Sequence, residues 1–265
     1  MNIAIRATVD LVKARIFKCL TVVIGFCPGA LRTVSPRWTM APMLLDQEKA
    51  AGIRRGTMIR VARNDGVWKI TIDRPEKANS LTRAMLCELH DLACDAKLAA
   101  RALILTGEGK VFSAGADLDE ARAGLATDPV WEELSGAIAT LPCLTIAALS
   151  GTLAGGAFGM ALACDLRIAV PEAKFFYPVM RLGFLPQPSD PARMAALIGP
   201  ARTKMILMAG QKIGAEEALS WGLVDRIHST DDLAAATGAL CADALAAPDG
   251  HAGRIKAMIP TGSRM

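Results

Sequence analysis

The sequence predicts an α/β fold in which short strands alternate with helices, and three observations carry that prediction. Apolar runs at residues 59–64, 67–73, 102–106, 143–149 and 166–170 have the length and pattern of strands. Segments with helical apolar spacing separate most of them. Asp65-Gly66, between the first two runs, is the two-residue connection that favours a hairpin.

Taken in order, residues 59–64 and 67–73 alternate and fold back at Asp65-Gly66, and Pro75 ends the second strand. Leu81, Met85, Leu89 and Leu92 then recur at helical spacing, with Ser80 placed as the cap of a helix running to about Leu98. Residues 102–106 form a buried type of strand. Residues 107–128, rich in Gly, Ala and Asp, read as a loop with a short helical turn. Residues 131–139 are predicted helical, 143–149 a strand, 155–164 a Gly/Ala helix and 166–170 a strand. From Ala201 helices dominate, interrupted at Gly222-Leu223-Val224, where a last short strand is expected to begin.

Composition narrows the function. At 265 residues, 52% hydrophobic and 21% charged, the chain can bury a full core. The net charge is only +4 and the bases are interspersed with acids, which argues against a nucleic-acid surface. Seven cysteines without paired spacing argue against a disulfide framework and a zinc site, so a reducing compartment, the cytoplasm, is expected. No Gly-x-Gly-x-x-Gly follows a strand, which counts against NAD or FAD. His90, His228 and His251 all lie away from the glycine-rich turns, so no nucleophilic triad is expected.

Residues 1–57 differ from the body at 58–265. Between Met1 and Leu45 one acid, Asp10, faces six bases, a bias typical of targeting segments. Three readings stay open: an extension upstream of a working start at Met43 or Met58, a transit peptide to the mitochondrial matrix, or an amphipathic partner helix. The apolar stretch at 19–31 contains Gly25, Pro28 and Gly29 and is too short to span a bilayer.

Two glycine-containing turns concentrate the chemistry: Phe112-Ser113-Ala114-Gly115-Ala116-Asp117-Leu118, and Gly151-Thr152-Leu153-Ala154-Gly155-Gly156-Ala157-Phe158-Gly159. Small residues let a ligand approach the main chain, and unpaired amides at a helix start suit an oxyanion. With Asp73-Arg74-Pro75, Cys164-Asp165-Leu166-Arg167, and Gly214-Ala215-Glu216-Glu217-Ala218 leading into Trp221-Gly222-Leu223-Val224, they form an ordered pattern. Over residues 59–255 that pattern resembles the crotonase superfamily of enoyl-CoA hydratases and isomerases.

The resemblance implies a crotonase-like spiral of ββα units with a helical C-terminal region, and a bent acyl-CoA substrate whose thioester oxygen accepts hydrogen bonds from the amides of Ala116 and Gly156. It places Ala114 and Leu118 near the adenine, and Lys77, with Arg74, near the phosphates. Coenzyme A is then part of the substrate, with no separate cofactor and no metal. It further implies a homo-trimer or hexamer. Family members continue several dozen residues past the position of Lys256, whereas this sequence stops at Met265, so a truncated C-terminal region with weakened subunit contacts is expected. Ile5, Val9, Val12 and Ile16, at helical spacing, suggest a helix that replaces part of the cover.

Two departures bear on the reaction. Where hydratases place glutamates, this chain has Gly159 and Val179, and neither can move a proton, so negligible crotonyl-CoA hydration is expected. Asp190 lies in a loop that lines the acyl pocket in the family. It reads either as a relocated acid or as the cap of a helix starting at Pro191. Glu120, Asp128, Glu132 and Glu133 read as solvated surface, and Tyr177 as a part-buried strand residue or a hydroxyl donor. The leading expectation is an acyl-CoA enzyme working through an enolate, as an isomerase, decarboxylase or thioester hydrolase. The alternative is a catalytically silent acyl-CoA-binding or assembly protein.

Overall fold

The computed structural model describes residues 58–259. The proposed extension at 1–57, with Ile5, Val9, Val12 and Ile16, lies outside the described residues. Strands β1 (Ile59–Asn64) and β2 (Val67–Ile72) form the expected antiparallel hairpin. Its turn residues Asp65 and Gly66 both have positive φ, 48° and 87°, as a type I′ connection requires.

Helix α1 (Arg83–Ala99) is capped by Thr82, whose side chain accepts from the Met85 N–H at 3.2 Å, and not by Ser80. Leu81 explains the difference. Its N–H donates to Gly115 O and its carbonyl accepts from Asp117 N–H, both at 2.8 Å, so the chain is still extended there and cannot turn helical until Thr82. The sequence puts a good capping residue at both positions, and a bridge to Ala116, distant along the chain, chooses between them.

Strand β3 (Ala102–Gly107) is followed by β4 (Val111–Ser113), a strand inside the region expected to be loop. Three residues are too few for a period of two to stand out. Helix α2 (Leu118–Arg122) is the expected helical turn, and a 3-10 turn at Leu125–Thr127 leads into α3 (Val130–Ala139). Next come β5 (Leu144–Leu149), β6 (Thr152–Ala154) and a 3-10 entry, Gly155–Ala157, into α4 (Phe158–Ala163). Strands β7 (Leu166–Ala169) and β8 (Lys174–Phe176) precede the short α5 (Val179–Leu182) and α6 (Asp190–Leu207), which breaks at Gly199-Pro200.

Two-residue β9 (Ile213–Gly214), α7 (Ala215–Trp221), β10 (Arg226–Ile227), α8 (Leu233–Ala246) and α9 (His251–Met258) complete the described chain. The last strand begins at Arg226 rather than Gly222. Gly222 ends α7 at φ 85°, and Leu223 and Val224 still donate to Ala218 O, which holds them in the helix cap.

One sheet has the order β1-β2-β3-β5-β7-β10 and the other β4-β6-β8-β9. Odd strands β3, β5 and β7 run parallel in the first, and their successors β4, β6 and β8 run parallel in the second. Each ββα unit thus gives one strand to each sheet and steps sideways by one place. This is the expected crotonase-like spiral, and its turns between paired strands stack at one end.

Leu86, Leu89, Leu103, Leu105, Leu134 and Ile146 are buried in the common core. Each such side chain contributes about 1.5 to 3 kcal/mol against exposure. The Asp165-Leu166-Arg167 motif belongs to the scaffold. Arg167 is buried and donates to Leu223 O (3.0 Å), Cys164 O (2.8 Å) and Asp225 Oδ2 (3.1 Å), while Asp165 Oδ2 accepts from Thr145 and from Lys256 Nζ.

Candidate functional site

The first turn is built on a buried asparagine that the sequence reading passed over. Asn79, at φ 53°, donates through Nδ2 to Glu108 O and Val111 O (2.9 and 2.6 Å) and accepts from Arg74 N–H at 2.8 Å. Its carbonyl accepts from Ser113 Oγ at 2.8 Å, and the neighbouring Ala78 O accepts from Ala114 N–H at 3.0 Å. Asparagine enters the left-handed region more easily than most residues, which was the available signal. These bonds fasten residues 74–80 beside the turn that carries Ala116.

In the bridge between Leu81 and Ala116, the ladder bonds are made by Gly115 O and Asp117 N–H. Successive peptide groups of an extended chain face opposite ways, so the N–H of Ala116 points away from Leu81. The second turn meets this one at Gly115. A Cβ on Gly115, whose φ is +92°, would stand 2.9 Å from Ala154 O and 3.4 Å from Gly156 N, so only glycine lets the two turns touch. Gly156 is the second residue of the helical entry, where amides lack an intrahelical partner. Its open side is roofed by Trp131, since a Cβ there would come within 3.3 Å of the indole ring.

Three residues further along the same helical face, Gly159 meets Asp190. A Cβ built on Gly159 would lie 3.1 Å from Asp190 Oδ1 and 3.6 Å from Ser135 Cβ. The carboxyl has no solvent exposure, and Oδ1 has no hydrogen-bond partner. Oδ2 accepts from the Tyr177 hydroxyl at 3.0 Å, and that hydroxyl is the acceptor for Gln187 N–H at 3.4 Å. Burial pushes the Asp190 carboxyl up to about 7, with Glu132 adding to the rise, while the Tyr177 hydrogen bond and the charge of Arg193 oppose it. Burial beside Asp190 also raises the Tyr177 hydroxyl.

This placement corrects two readings. The cap position of α6 is Ser189, and the carboxyl of Asp190 points into the interior. Tyr177 is buried and stacks on Phe158 with centroids 5.5 Å apart, so its hydroxyl is aimed at Asp190.

The remaining candidates divide. Lys77 is exposed at the end of a 3-10 turn beside Ala78, and Leu118 is 71% exposed at the start of α2. Arg74 is partly committed elsewhere: Nη1 donates to Asp117 Oδ2 at 2.8 Å and to Ser80 O at 3.1 Å. The Asp117 hydrogen bond, with further ones from backbone amides, holds that carboxyl below its ordinary range, and Asp117 caps α2.

The acids expected on the surface are more engaged than that. Glu120 accepts from Arg83 N–H, and Asp128 from Val130 N–H and Arg83 Nε. Glu132 is half-buried and accepts from Ser189 N–H at 3.2 Å; Glu133 is exposed as expected. The chain closes over Asp190 through Gln187, whose Nε2 donates to Ala126 O at 3.1 Å. Cavities of about 650 and 570 Å³ open elsewhere, one beside Lys69, Thr106 and Thr237, the other beside Leu144, Leu240 and Ile255.

The interleaved sheets define a ββα-spiral protein in which two glycine-containing turns touch and a buried carboxyl lies against the helix that follows the second. The chain belongs to the enoyl-CoA hydratase/isomerase family, whose model matches residues 62–264. It is 33% identical to 4-chlorobenzoyl coenzyme A dehalogenase-2 of Arthrobacter sp, over 77% of this chain and 78% of that protein. It is 36% identical to carnitinyl-CoA dehydratase of Escherichia coli K12, over 66% and 69%.

Among solved structures, an enoyl-CoA hydratase from Bacillus anthracis superposes with a TM-score of 0.71 at 31% identity, covering 76% of this chain and 81% of that one. Pseudomonas aeruginosa DspI gives 0.72 at 30% identity, covering 78% and 88%. Among the described residues, no helix is long and apolar enough to cross a membrane, and no cluster of His, Cys, Asp and Glu is arranged to hold a metal ion.

Proposed function

We propose that the chain is an acyl-CoA enzyme that moves a proton along an enoyl thioester, with Ala116 and Gly156 N–H groups holding the thioester oxygen and Asp190 carrying the proton. The observation that supports this reading is the unpartnered, buried Oδ1 of Asp190 occupying the space that Gly159 leaves empty. A carboxyl near pH 7 is present in both forms at neutral pH, which suits a group that must accept a proton and give it back.

The ionised carboxylate removes a proton from C2 of a 3-enoyl thioester. The electron pair moves onto the thioester oxygen, where the two amides meet the negative charge. The same carboxyl then returns the proton at C4, leaving the 2-enoyl thioester. Such proton transfer contributes about 10²- to 10⁴-fold, and one amide donor about 3 to 4 kcal/mol. Hydration demands a second group to hold and activate water, and Gly159 and Val179 supply none. Lys77, Ala114 and Leu118 are assigned to the coenzyme A portion, and the Ala126–Gln187 hydrogen bond must open to admit the acyl group. Relatives named for chlorobenzoyl, enoyl and carnitinyl groups all carry coenzyme A in their names, which favours the thioester as the shared element.

The second reading, a silent acyl-CoA-binding protein, is favoured by the same loss of carboxylates at 159 and 179. Calorimetry and turnover on one panel of 2-enoyl, 3-enoyl and saturated acyl-CoAs separate the two. Isomerisation that drops by 10²-fold or more in Asp190→Asn supports the enzyme; binding without turnover supports the silent protein. Absence of binding by any thioester removes both.

A further inference from the structure

Asp190 does not stand alone among carboxylates. Ser135 and Trp131, four residues apart on α3, face Gly159 and Gly156 respectively, so one side of this helix lines the site. Glu132, on the same helix, turns toward the start of α6, and its Oε2 accepts from the N–H of Ser189, the residue bonded to Asp190. Ser135 Oγ is occupied by Glu132 O, so it does not compete for Asp190. The Ser189 carbonyl accepts from Arg193 N–H in the first turn of α6, so both main-chain groups of the residue before Asp190 are engaged.

We infer that Glu132 is the positioning residue of Asp190: its carboxylate holds the Ser189–Asp190 turn through the Ser189 amide. The family's pair of acids is thereby replaced by a pair drawn from two other elements, one carrying the proton and one fixing its place. This rests on Asp190 as the proton carrier.

The groups that face Asp190 are few. Tyr177, following β8, donates to Oδ2; Glu132, from α3, presents a like charge; Arg193, one turn along α6, presents an opposite charge; Gly159 on α4 presents no side chain. Removing the Glu132 charge leaves Arg193 unopposed, so Asp190 releases its proton at lower pH. Glutamine at 132 keeps an oxygen for Ser189 N–H and loses only the charge. Alanine loses both.

The test reads Asp190 directly. The C=O stretch of its protonated carboxyl, identified as the infrared band missing from Asp190→Asn, is titrated with pH in wild type, Glu132→Gln and Glu132→Ala. The midpoint is expected near 7 in wild type and lower in both variants, with the pH profile of turnover following it. Hydrogen exchange at the Ser189 amide is expected to quicken only in Glu132→Ala. An unchanged midpoint in Glu132→Gln overturns the inference; if that variant does not fold, the same result in Glu132→Ala does so. Retained turnover in Asp190→Asn sinks the functional reading instead, and leaves the titration interpretable.

Discussion

Asp190 Oδ1 stands 3.1 Å from the point where a Cβ of Gly159 would be. The emptiness at one position and the carboxyl from another are therefore one feature: a side chain at 159 crowds the buried acid at 190. The position that lacks an acid is the position that makes room for one. Several consequences can be measured.

Gly159→Ala is expected to lower stability by about 1 to 3 kcal/mol, because the added methyl presses on a buried carboxyl oxygen. Gly159→Glu is expected to lose more, since it sets a second carboxylate beside Asp190 in a dry interior, and to gain no crotonyl-CoA hydration. Urea unfolding midpoints check the order. An alanine variant as stable as wild type would contradict the contact.

The Asp190 carboxyl, raised from the ordinary 3.8 to about 7, holds its proton in the folded chain where the unfolded chain has released it. Stability from this group therefore declines as pH rises from about 4 to about 7 and is level above, by on the order of a few kcal/mol in total. Asp190→Asn removes that slope. Chemical unfolding of both proteins at several pH values between 4 and 8 is expected to show wild type losing ground to the variant as pH increases.

Gly115→Ala combines a backbone at φ +92° with a contact of 2.9 Å to Ala154 O, whereas Gly155→Ala has φ +58° and nothing nearer than 3.7 Å. The second is expected to cost about 1 to 2 kcal/mol of strain alone. The first is expected to cost more and also to weaken acyl-CoA binding, because the two turns must part. Thermal unfolding with calorimetry distinguishes strain from separation.

Lys77→Ala and Arg74→Ala are expected to fail differently. The lysine variant keeps its stability and loses affinity for acyl-CoA several-fold, by a margin that narrows with added salt. The arginine variant loses stability, since Asp117 and the Ser80 carbonyl lose their donor. The Asp117 carboxyl is held low, so its contribution is present above the ordinary carboxylate range and lost as pH falls through its folded value. In Arg74→Ala the part of that acid-side loss due to Arg74 is expected to vanish.

Much of the architecture was legible along the chain. The hairpin at Asp65-Gly66, the helix containing Met85 and Leu89, and the strands at 102–107 and 144–149 follow from local periodicity and turn chemistry, which act over a few residues. The short strands β4, β6 and β8 were not legible. They exist because a neighbour pairs with them, and their residues carry too little pattern to announce it. The same holds for the cap of α1, decided at Leu81 by Ala116.

The site divides along the same line. The sequence by itself determined the two glycine-containing turns, the small residues at their tips and the absence of any ionisable side chain at 159 and 179, because these are properties of single positions. Only the tertiary structure decided that Asp190 lies against Gly159, that Tyr177 bonds it and Glu132 bonds its neighbour Ser189, and that Arg74 bonds Asp117. Burial and ionisation depend on which groups are brought near one another across the fold, and no local spacing encodes that encounter.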